Sequence, residues 1–450
     1  MNNTLRIAFR LADLVCILLA LAFSSWLMLP PYLEIFSDYT GASTFTVIIF
    51  LLSFYMMNCY NMGREDFRDT VVRVIVAVVV GIVATGFVFY TFEHWRFPRI
   101  MFVLQMTVNI ALSLGWRRLY FVYGRRLDKE PESVLLLGAA MAGRARRVLG
   151  EYSPHSHIIG YVGVEGADPE EAGPWLGPAD AIFKVIAEAK PGKIIVLDRF
   201  YLDPEITHAL FMAKIEGLNV SDMRGLYEKL AARVPIDLIE DDWFLLEDGF
   251  NLNVNNSLRR LKRAFDICFS LSLLILSSPI LLIAMAAVRL DSPGPALFIQ
   301  DRVGLNGKEF PLYKLRSMRT DAEKNGAQWA AAHDPRVTRV GRFLRKTRID
   351  ELPQLFNVLK GEMSVIGPRP ERMAFVRELS EKLPYYDVRH SVKPGITGWA
   401  QVCYPYGASL DDSRHKLEYD LFYIKHLSAL LEAKILLRTV GVVLYPKGAR

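Results

Sequence analysis

Ile275-Leu276-Ser277-Ser278-Pro279-Ile280-Leu281-Leu282 lies at the centre of an apolar segment, 264–290, whose reading decides how the second half of the chain is built. A helix of about 20 apolar residues crosses a bilayer, so length alone makes this segment a span. Pro279 argues otherwise, because it deletes a helical hydrogen bond and forces a kink. Ser277 and Ser278 offer hydroxyls to the backbone groups so freed. Basic residues flank both ends, from Arg259 to Arg263 before the segment and Arg289 and Arg302 after it. Positive charge marks the cytoplasmic side of a membrane segment. Both ends are therefore expected on that side, as a re-entrant membrane helix broken at Ser278 and Pro279.

The 450 residues are 52% hydrophobic and carry a net charge of +6. The apolar excess gathers in four further stretches of spanning length, roughly 10–29, 42–60, 71–91 and 98–116. The first lacks a small-residue cleavage site and is followed by other spans, so it reads as an anchor and not as a secretory signal. Arg6 and Arg10 precede it, Arg64, Arg68 and Arg73 follow the second, and Arg117, Arg118, Arg125 and Arg126 follow the fourth. The loop at 30–40 holds only the acids Glu34 and Asp38. Residues 1–128 thus read as a four-helix transmembrane bundle with both ends cytoplasmic, despite Arg96 and Arg99 in an outer loop. No charge is expected deep within it. Transporters carry polar groups at mid-membrane depth, so the bundle reads as an anchor or assembly element, compatible with a homodimer.

Residues 129–250 read as a Rossmann-like α/β domain. Ser133–Leu137, Ile194–Leu197 and Leu218–Val220 are short strand patterns with helical stretches between them. Gly138-Ala139-Ala140-Met141-Ala142-Gly143 stands where a pyrophosphate-binding loop would follow the first strand. Ala140 replaces the glycine that close backbone approach needs, and Glu165 is the nearest acid for a ribose. A degenerate nucleotide-binding domain, structural or regulatory, is therefore the expected reading over a cofactor site. Residues 251–263, opening Asn-rich, read as a linker. The cysteines Cys16, Cys59, Cys268 and Cys403 are far apart and give no disulfide or zinc pattern. No nucleic-acid-binding motif accompanies the positive charge, so no nucleic-acid partner is expected.

The chemistry is concentrated in 291–450. Arg345-Lys346-Thr347-Arg348-Ile349-Asp350-Glu351-Leu352-Pro353-Gln354 sets two adjacent carboxylates between a basic run and a proline. Proline is tolerated in a first turn, and Leu355, Phe356 and Leu359 continue with helical spacing, so the acids are expected at a helix N-terminus. Free N–H groups there favour anions, including a phosphoryl group in transfer. Neighbours on a helix diverge by about 100°. One acid can then attack phosphorus to form an acyl phosphate, while the other holds Mg²⁺ on a diphosphate. The plainer alternative is an acidic pair that caps a helix. Lys314 and Arg316, alternate residues of a strand, are expected on one face, as a diphosphate-binding pair or a solvated edge. Arg342 and Arg345 share a helical face, for anionic lipid, substrate phosphate or solvent. Arg369 is fixed between Pro368 and Pro370, and its guanidinium can fork onto phosphate oxygens.

From Lys262 onward the chain resembles the monotopic phosphoglycosyl transferases, also called bacterial sugar transferases. The resemblance rests on Ser278-Pro279, Tyr313-Lys314-Leu315-Arg316-Ser317-Met318, Asp350-Glu351-Leu352-Pro353-Gln354, Gly367-Pro368-Arg369-Pro370-Glu371 and Lys393-Pro394-Gly395-Ile396-Thr397-Gly398-Trp399-Ala400-Gln401. With the bundle and the Rossmann-like domain, nearly the whole chain is similar, more weakly before Lys262, to the long subgroup, the exopolysaccharide polyprenyl glycosylphosphotransferases. The resemblance implies a monotopic α/β catalytic domain on the cytoplasmic face of the bacterial inner membrane. It implies transfer of a sugar 1-phosphate, glucose or galactose, from a UDP-sugar to undecaprenyl phosphate with release of UMP. That reaction would initiate exopolysaccharide, O-antigen or capsule assembly. It implies Asp350 as nucleophile, Glu351 as the partner acid near Mg²⁺, and Lys314, Arg316 and Arg369 as phosphate contacts. The family's Gly-Asp-Met-Ser reads Gly361-Glu362-Met363-Ser364 here, and its late Asn-Trp-Ser reads His426-Leu427-Ser428.

Other readings fit less well. A sugar-nucleotide dehydratase would need an intact glycine loop and a Tyr-x-x-x-Lys pair, and 132–250 shows neither. A non-catalytic scaffold of a polysaccharide assembly complex has no need of Asp350, Glu351 and Arg369 together. A transferase moving the sugar alone would release UDP in place of UMP.

Overall fold

Four apolar helices, α1 (Asn3–Met28), α2 (Thr40–Met56), α3 (Phe67–Thr91) and α4 (Arg99–Leu119), build the first of two units, Met1–Glu130. The computed structural model describes residues 3–28, 40–57, 59–60, 67–91, 99–124, 132–197, 203–239, 241–247, 249–250, 256–320, 335–404, 407 and 409–444. Glu34, Asp38, Arg64, Arg96, Arg125, Arg126 and the start of the expected linker lie outside the described residues. Ile7–Met28 and Thr70–Phe87 are long and apolar enough to cross a membrane, whereas Gly41–Met56 is shorter. α4 is apolar only in part, because Gln105, Asn109, Ser113 and Arg117 recur one turn apart and are all buried. That spacing puts them on one face, turned into the bundle among Ile17, Leu21, Phe50, Phe54, Val74 and Met101.

Asp13, the fourth residue of the expected span 10–29, brings a charge into the bundle's interior. It is fully buried, and Arg117 donates to its two carboxylate oxygens at 2.7 Å each. Trp116 Nε1 donates to Oδ1 at 3.0 Å. The pair joins the first half of α1 to the end of α4, partners 104 residues apart in sequence.

In the second unit, Pro131–Arg450, strands β1 (Glu132–Leu137), β2 (Ser156–Val162), β3 (Trp175–Gly177), β4 (Lys193–Val196) and β5 (Asn219–Asp222) form a parallel sheet in the order β3-β2-β1-β4-β5. This is the Rossmann half-order. The sequence reading located β1, β4 and β5 but passed over β2, whose His157 and Gly160 break any apolar alternation. The glycine loop leads into the helix Ala142–Tyr152 as expected. A Cβ on Gly143 would lie 2.4 Å from a carboxylate oxygen of Glu171, so an anion at this helix start would meet a like charge.

Helix α5 runs from Asn256 to Asp291, 36 residues, so 256–263, expected as linker, is helical, and the break expected at Ser278 and Pro279 does not interrupt the helix, which carries Pro279 inside it. Asp266, Ser270, Leu274, Ser277, Leu281, Ala284 and Val288 are buried at helical spacing, and Leu276, Leu282 and Ile283 face outward. Pro279 has no N–H for the carbonyl of Ile275, and Ser278 Oγ donates to that oxygen instead, at 2.8 Å. Ser277 Oγ donates to Leu273 O at 2.6 Å. The buried stripe packs against Ala296 and Leu315, at the base of the antiparallel hairpin β6 (Leu297–Val303) and β7 (Glu309–Leu315), and against helices α6 (Arg339–Thr347) and α7 (Gln354–Lys360). A parallel pair, β8 (Ser364–Ile366) and β9 (Gly395–Thr397), and helix α8 (Leu410–Lys425) complete the core.

Both ends of α5 are tied to this same core. At the N-terminal end, Arg263 donates to Val358 O and Leu359 O at 2.6 and 2.8 Å, capping α7. Asp266 accepts from Ser364 Oγ and Val365 N at 3.0 Å each. At the other end Asp291 accepts from Val340 N at 3.1 Å.

The buried pair in the bundle gives a direct test. Asp13→Ala leaves the Arg117 guanidinium buried without its counter-charge, a change that costs about 3–5 kcal/mol in buried pairs. Detergent-denaturation midpoints should fall accordingly, and the double variant Asp13→Leu/Arg117→Leu should recover most of the loss. An Asp13→Ala protein as stable as the parent would show that the pair does not hold α1 to α4.

Candidate active site

The acidic pair sits where α6 stops. Arg348 adopts the left-handed conformation (φ 59°), ends the helix, and starts a 3₁₀ turn, Ile349–Glu351. Pro353 then opens α7. The turn is held from below by Leu344, Ile349, Leu352 and Leu355, which pack on Leu274, Leu281 and Ala284 of α5. The carboxylates therefore lie at a helix start, as the sequence indicated.

Glu351 is the electrostatic centre. Its side chain is 12% exposed, with Arg369 Nη2 at 3.0 Å and Lys314 Nζ at 3.7 Å from Oε1. Burial works against its charge, but Arg369, Lys314 and Arg348 outweigh it and hold the carboxyl at about 2. Burial pulls Lys314 down to about 8 against the attraction of Glu351. Asp350 is different: it is 8% exposed and its Oδ1 has no hydrogen-bond partner. Burial, and then the neighbouring Glu351 charge, push it up to about 6 against the pull of Lys314, Arg345 and Arg348. One acid is locked as an anion, while the other carries an unsatisfied oxygen and titrates near neutrality.

Among the described residues no cluster of three or more His, Cys, Asp or Glu could hold a metal ion. A Mg²⁺ ion would draw on the two carboxylates and on oxygens brought by a substrate, an arrangement usual for this ion. The orphaned Oδ1 of Asp350 fits that demand.

Residues 257–446 match the family described as bacterial sugar transferase. The chain is 44% identical over 242 residues to a UDP-N-acetylgalactosamine-undecaprenyl-phosphate N-acetylgalactosaminephosphotransferase of Aeromonas hydrophila, covering 53% of this chain and 56% of that one. It is 45% identical over 184 residues to a UDP-glucose:undecaprenyl-phosphate glucose-1-phosphate transferase of Escherichia coli, covering 40% of each. An exopolysaccharide production protein of Rhizobium leguminosarum is 44% identical over 186 residues, 40% of this chain and 93% of its own length. The chain belongs to the bacterial sugar transferase family. The aligned stretch spans about half or less of the first two relatives.

Within this sugar transferase the structure gathers Asp350, Glu351, Lys314 and Arg369, and corrects one expected member. Arg316 is buried and faces away from the site. It donates to Ser292 O at 2.6 Å, Pro293 O at 2.7 Å and Val288 O at 3.3 Å, capping the C-terminal end of α5. β7 ends at Leu315, so strand alternation does not carry past that residue. Sequence reasoning also missed Asn357, buried in α7 beneath the acids. It accepts from Tyr313 N at 3.1 Å and donates to Pro311 O at 2.7 Å and Glu362 at 2.6 Å. Asn357 thereby ties the strand carrying Lys314 to α7, the helix that follows the acids, and it uses the Glu362 that departs from the family's usual aspartate.

The raised acid carries a stability consequence. The folded value of Asp350, about 6, lies above its ordinary 3.8, so its ionisation opposes folding. The penalty is complete above pH 6 and vanishes as pH falls below about 4. Asp350→Asn should therefore raise the thermal midpoint at pH 7–8, by an amount equivalent to roughly 1–3 kcal/mol. The advantage should close between pH 6 and 4. An Asp350→Asn protein less stable than the parent at pH 8 would contradict the burial argument.

Proposed function

We propose that this membrane protein transfers a sugar 1-phosphate from a UDP-sugar to undecaprenyl phosphate at the inner membrane, with its catalytic domain in the cytoplasm, and so starts assembly of an exopolysaccharide, O-antigen or capsule. The observation that carries this reading is the pairing of a cation-locked Glu351 with a buried Asp350 whose Oδ1 is unpartnered. The names of its relatives, which refer to undecaprenyl-phosphate phosphotransferases, support the substrate class. Glucose or galactose is the proposed sugar, and N-acetylgalactosamine, named in one relative, is the next donor to try.

In the proposed reaction an Asp350 carboxylate oxygen attacks the phosphorus that bears the sugar. The bond from that phosphorus to the bridging oxygen breaks, and UMP leaves with the electron pair. An oxygen of undecaprenyl phosphate then attacks the same phosphorus, the bond to Asp350 breaks, and the carboxylate returns. Arg369 and Lys314 neutralise the diphosphate and hold it in line. Glu351 would hold a Mg²⁺ ion, which would supply further charge neutralisation.

The reaction joins a soluble donor to a lipid, and the proposed re-entrant course of α5 puts the acids at the membrane surface. Both polar ends of the helix bind the same catalytic core, while the outward face of its middle is apolar. Cysteines introduced at Ser257 and Ser292, in a background lacking native cysteines, should both react with an impermeant maleimide from the cytoplasmic side only. Labelling from opposite sides would mean a full span.

Purified protein in detergent with Mg²⁺, undecaprenyl phosphate and UDP-glucose labelled in the β-phosphate should put the label in lipid and release UMP. Asp350→Asn should abolish transfer. UDP release would overturn the mechanism. The pH profile of kcat/KM should be bell-shaped. Its acid limb falls as Asp350 protonates below about 6, and its alkaline limb falls as Lys314 loses its proton above about 8. Lys314→Arg should remove the alkaline limb, because a guanidinium stays charged.

A further inference from the structure

Prolines at 368 and 370 lack N–H groups, so the loop carrying Arg369 is held mainly through its carbonyls. Four consecutive ones each receive a different donor. Gly395 N donates to Pro368 O at 2.9 Å and Val303 N to Glu371 O at 2.9 Å. Arg302 Nη1 donates to Pro370 O at 3.2 Å. The carbonyl of Arg369 itself accepts from Arg389 Nη2 at 2.9 Å.

Arg389 stands in the short turn Tyr386–Ser391, outside the strands that supply the other three donors. Its side chain is 7% exposed and its nitrogens are committed. Nε and Nη2 donate to Asp420 Oδ2 at 3.2 and 2.9 Å, and Nη1 to the Tyr386 hydroxyl at 2.7 Å. Asp420 is 3% exposed on α8. An ion pair so far from water is weak evidence of stabilisation, since apolar residues of equal volume avoid its desolvation. What this pair does have is placement: one of its donors reaches the backbone of the residue whose side chain grips Glu351.

We propose that Arg389, held by Asp420 and Tyr386, is a positioning residue that fixes the reach of Arg369 onto Glu351 and onto the diphosphate of the donor. The role needs a planar fork, because Nε and Nη2 hold Asp420, Nη2 also reaches the Arg369 carbonyl, and Nη1 holds Tyr386. A lysine keeps the charge beside Asp420 but cannot span the three partners. The proposal rests on the phosphosugar transfer argued above.

A double-substitution cycle in the full-length detergent-solubilised protein tests it. Arg369→Ala, Arg389→Lys and their combination are compared with the parent in UDP affinity by calorimetry and in kcat/KM for the labelled donor. Arg389→Lys alone should lower kcat/KM about 10- to 100-fold, the usual effect of a group displaced by about an ångström, and should weaken UDP binding. On the Arg369→Ala background the same change should cost less than about twofold in either quantity, because residues acting through one another are not additive. Tyr386→Phe, which removes one acceptor and spares the ion pair, should show the same coupling with a smaller loss if Arg389→Lys folds poorly. Additive losses, or an Arg389→Lys protein equal to the parent, would reduce Arg389 to core packing and overturn the proposal. UDP affinity reads the coupling even if no UDP-sugar is turned over, so failure of the transfer reaction and failure of the positioning role are separate results.

Discussion

Glu351 is a carboxylate taken almost out of water, and much of the catalytic core is arranged around that fact. An uncompensated buried charge costs several kcal/mol, so the fold must bring cations to it. Lys314 arrives on β7 and Arg369 on a proline-stiffened loop. Those two requirements fix the hairpin and the loop relative to the turn Ile349–Glu351. Asp350, the adjacent residue, receives no hydrogen bond at Oδ1. The same pocket thus stabilises one anion strongly and its neighbour poorly, which is how burial raises one of two adjacent acids while cations lower the other.

The second constraint is the long helix. An apolar helix in contact with lipid has no reason to stay beside a water-facing domain unless one stripe of it is claimed by that domain. Here the stripe from Asp266 to Val288 is claimed along its length, by apolar packing in the middle and polar ties toward the ends. The floor under Asp350 is therefore also the long apolar helix, through Leu344, Leu352 and Leu355 against Leu274 and Leu281. The proposed transfer from a nucleotide sugar to a lipid phosphate needs that adjacency.

Much of this was legible in the sequence, for identifiable reasons. Asp350 and Glu351 are neighbours, Arg369 is framed by prolines, and Ser278 precedes Pro279, so local chemistry alone marked them. Arg316 was misread because alternation was extended one residue beyond the end of β7. Asp13 was missed because an isolated aspartate in an apolar run reveals nothing until its partner, 104 residues later, is found. Asn357, Arg389 and Asp420 look ordinary in sequence, and their roles come from contacts made only in the folded chain. β2 went unseen because His157 and Gly160 interrupt its apolar run and its first half is only partly covered.

The Rossmann-like half has a use that does not require a nucleotide. α8 presents Glu418 and Lys425, seven residues apart and so on one face, toward that half: Arg233 lies 3.4 Å from Glu418, Lys425 donates to Glu228 at 2.8 Å, and Val234 N donates to Glu418 O at 3.0 Å. Trp399 Nε1 adds a bond to Ala232 O at 2.9 Å. Asp420, two residues from Glu418, points about 200° around the same helix and meets Arg389. One helix therefore stands between the Rossmann-like half and the turn that holds the Arg369 loop. A sheet needed as a buttress for α8 must keep its strands and the helix Met223–Ala231 that leads to Ala232 and Arg233, but has no need of an open glycine loop. Ala140 in that loop and Glu171 against Gly143 are compatible with such a part.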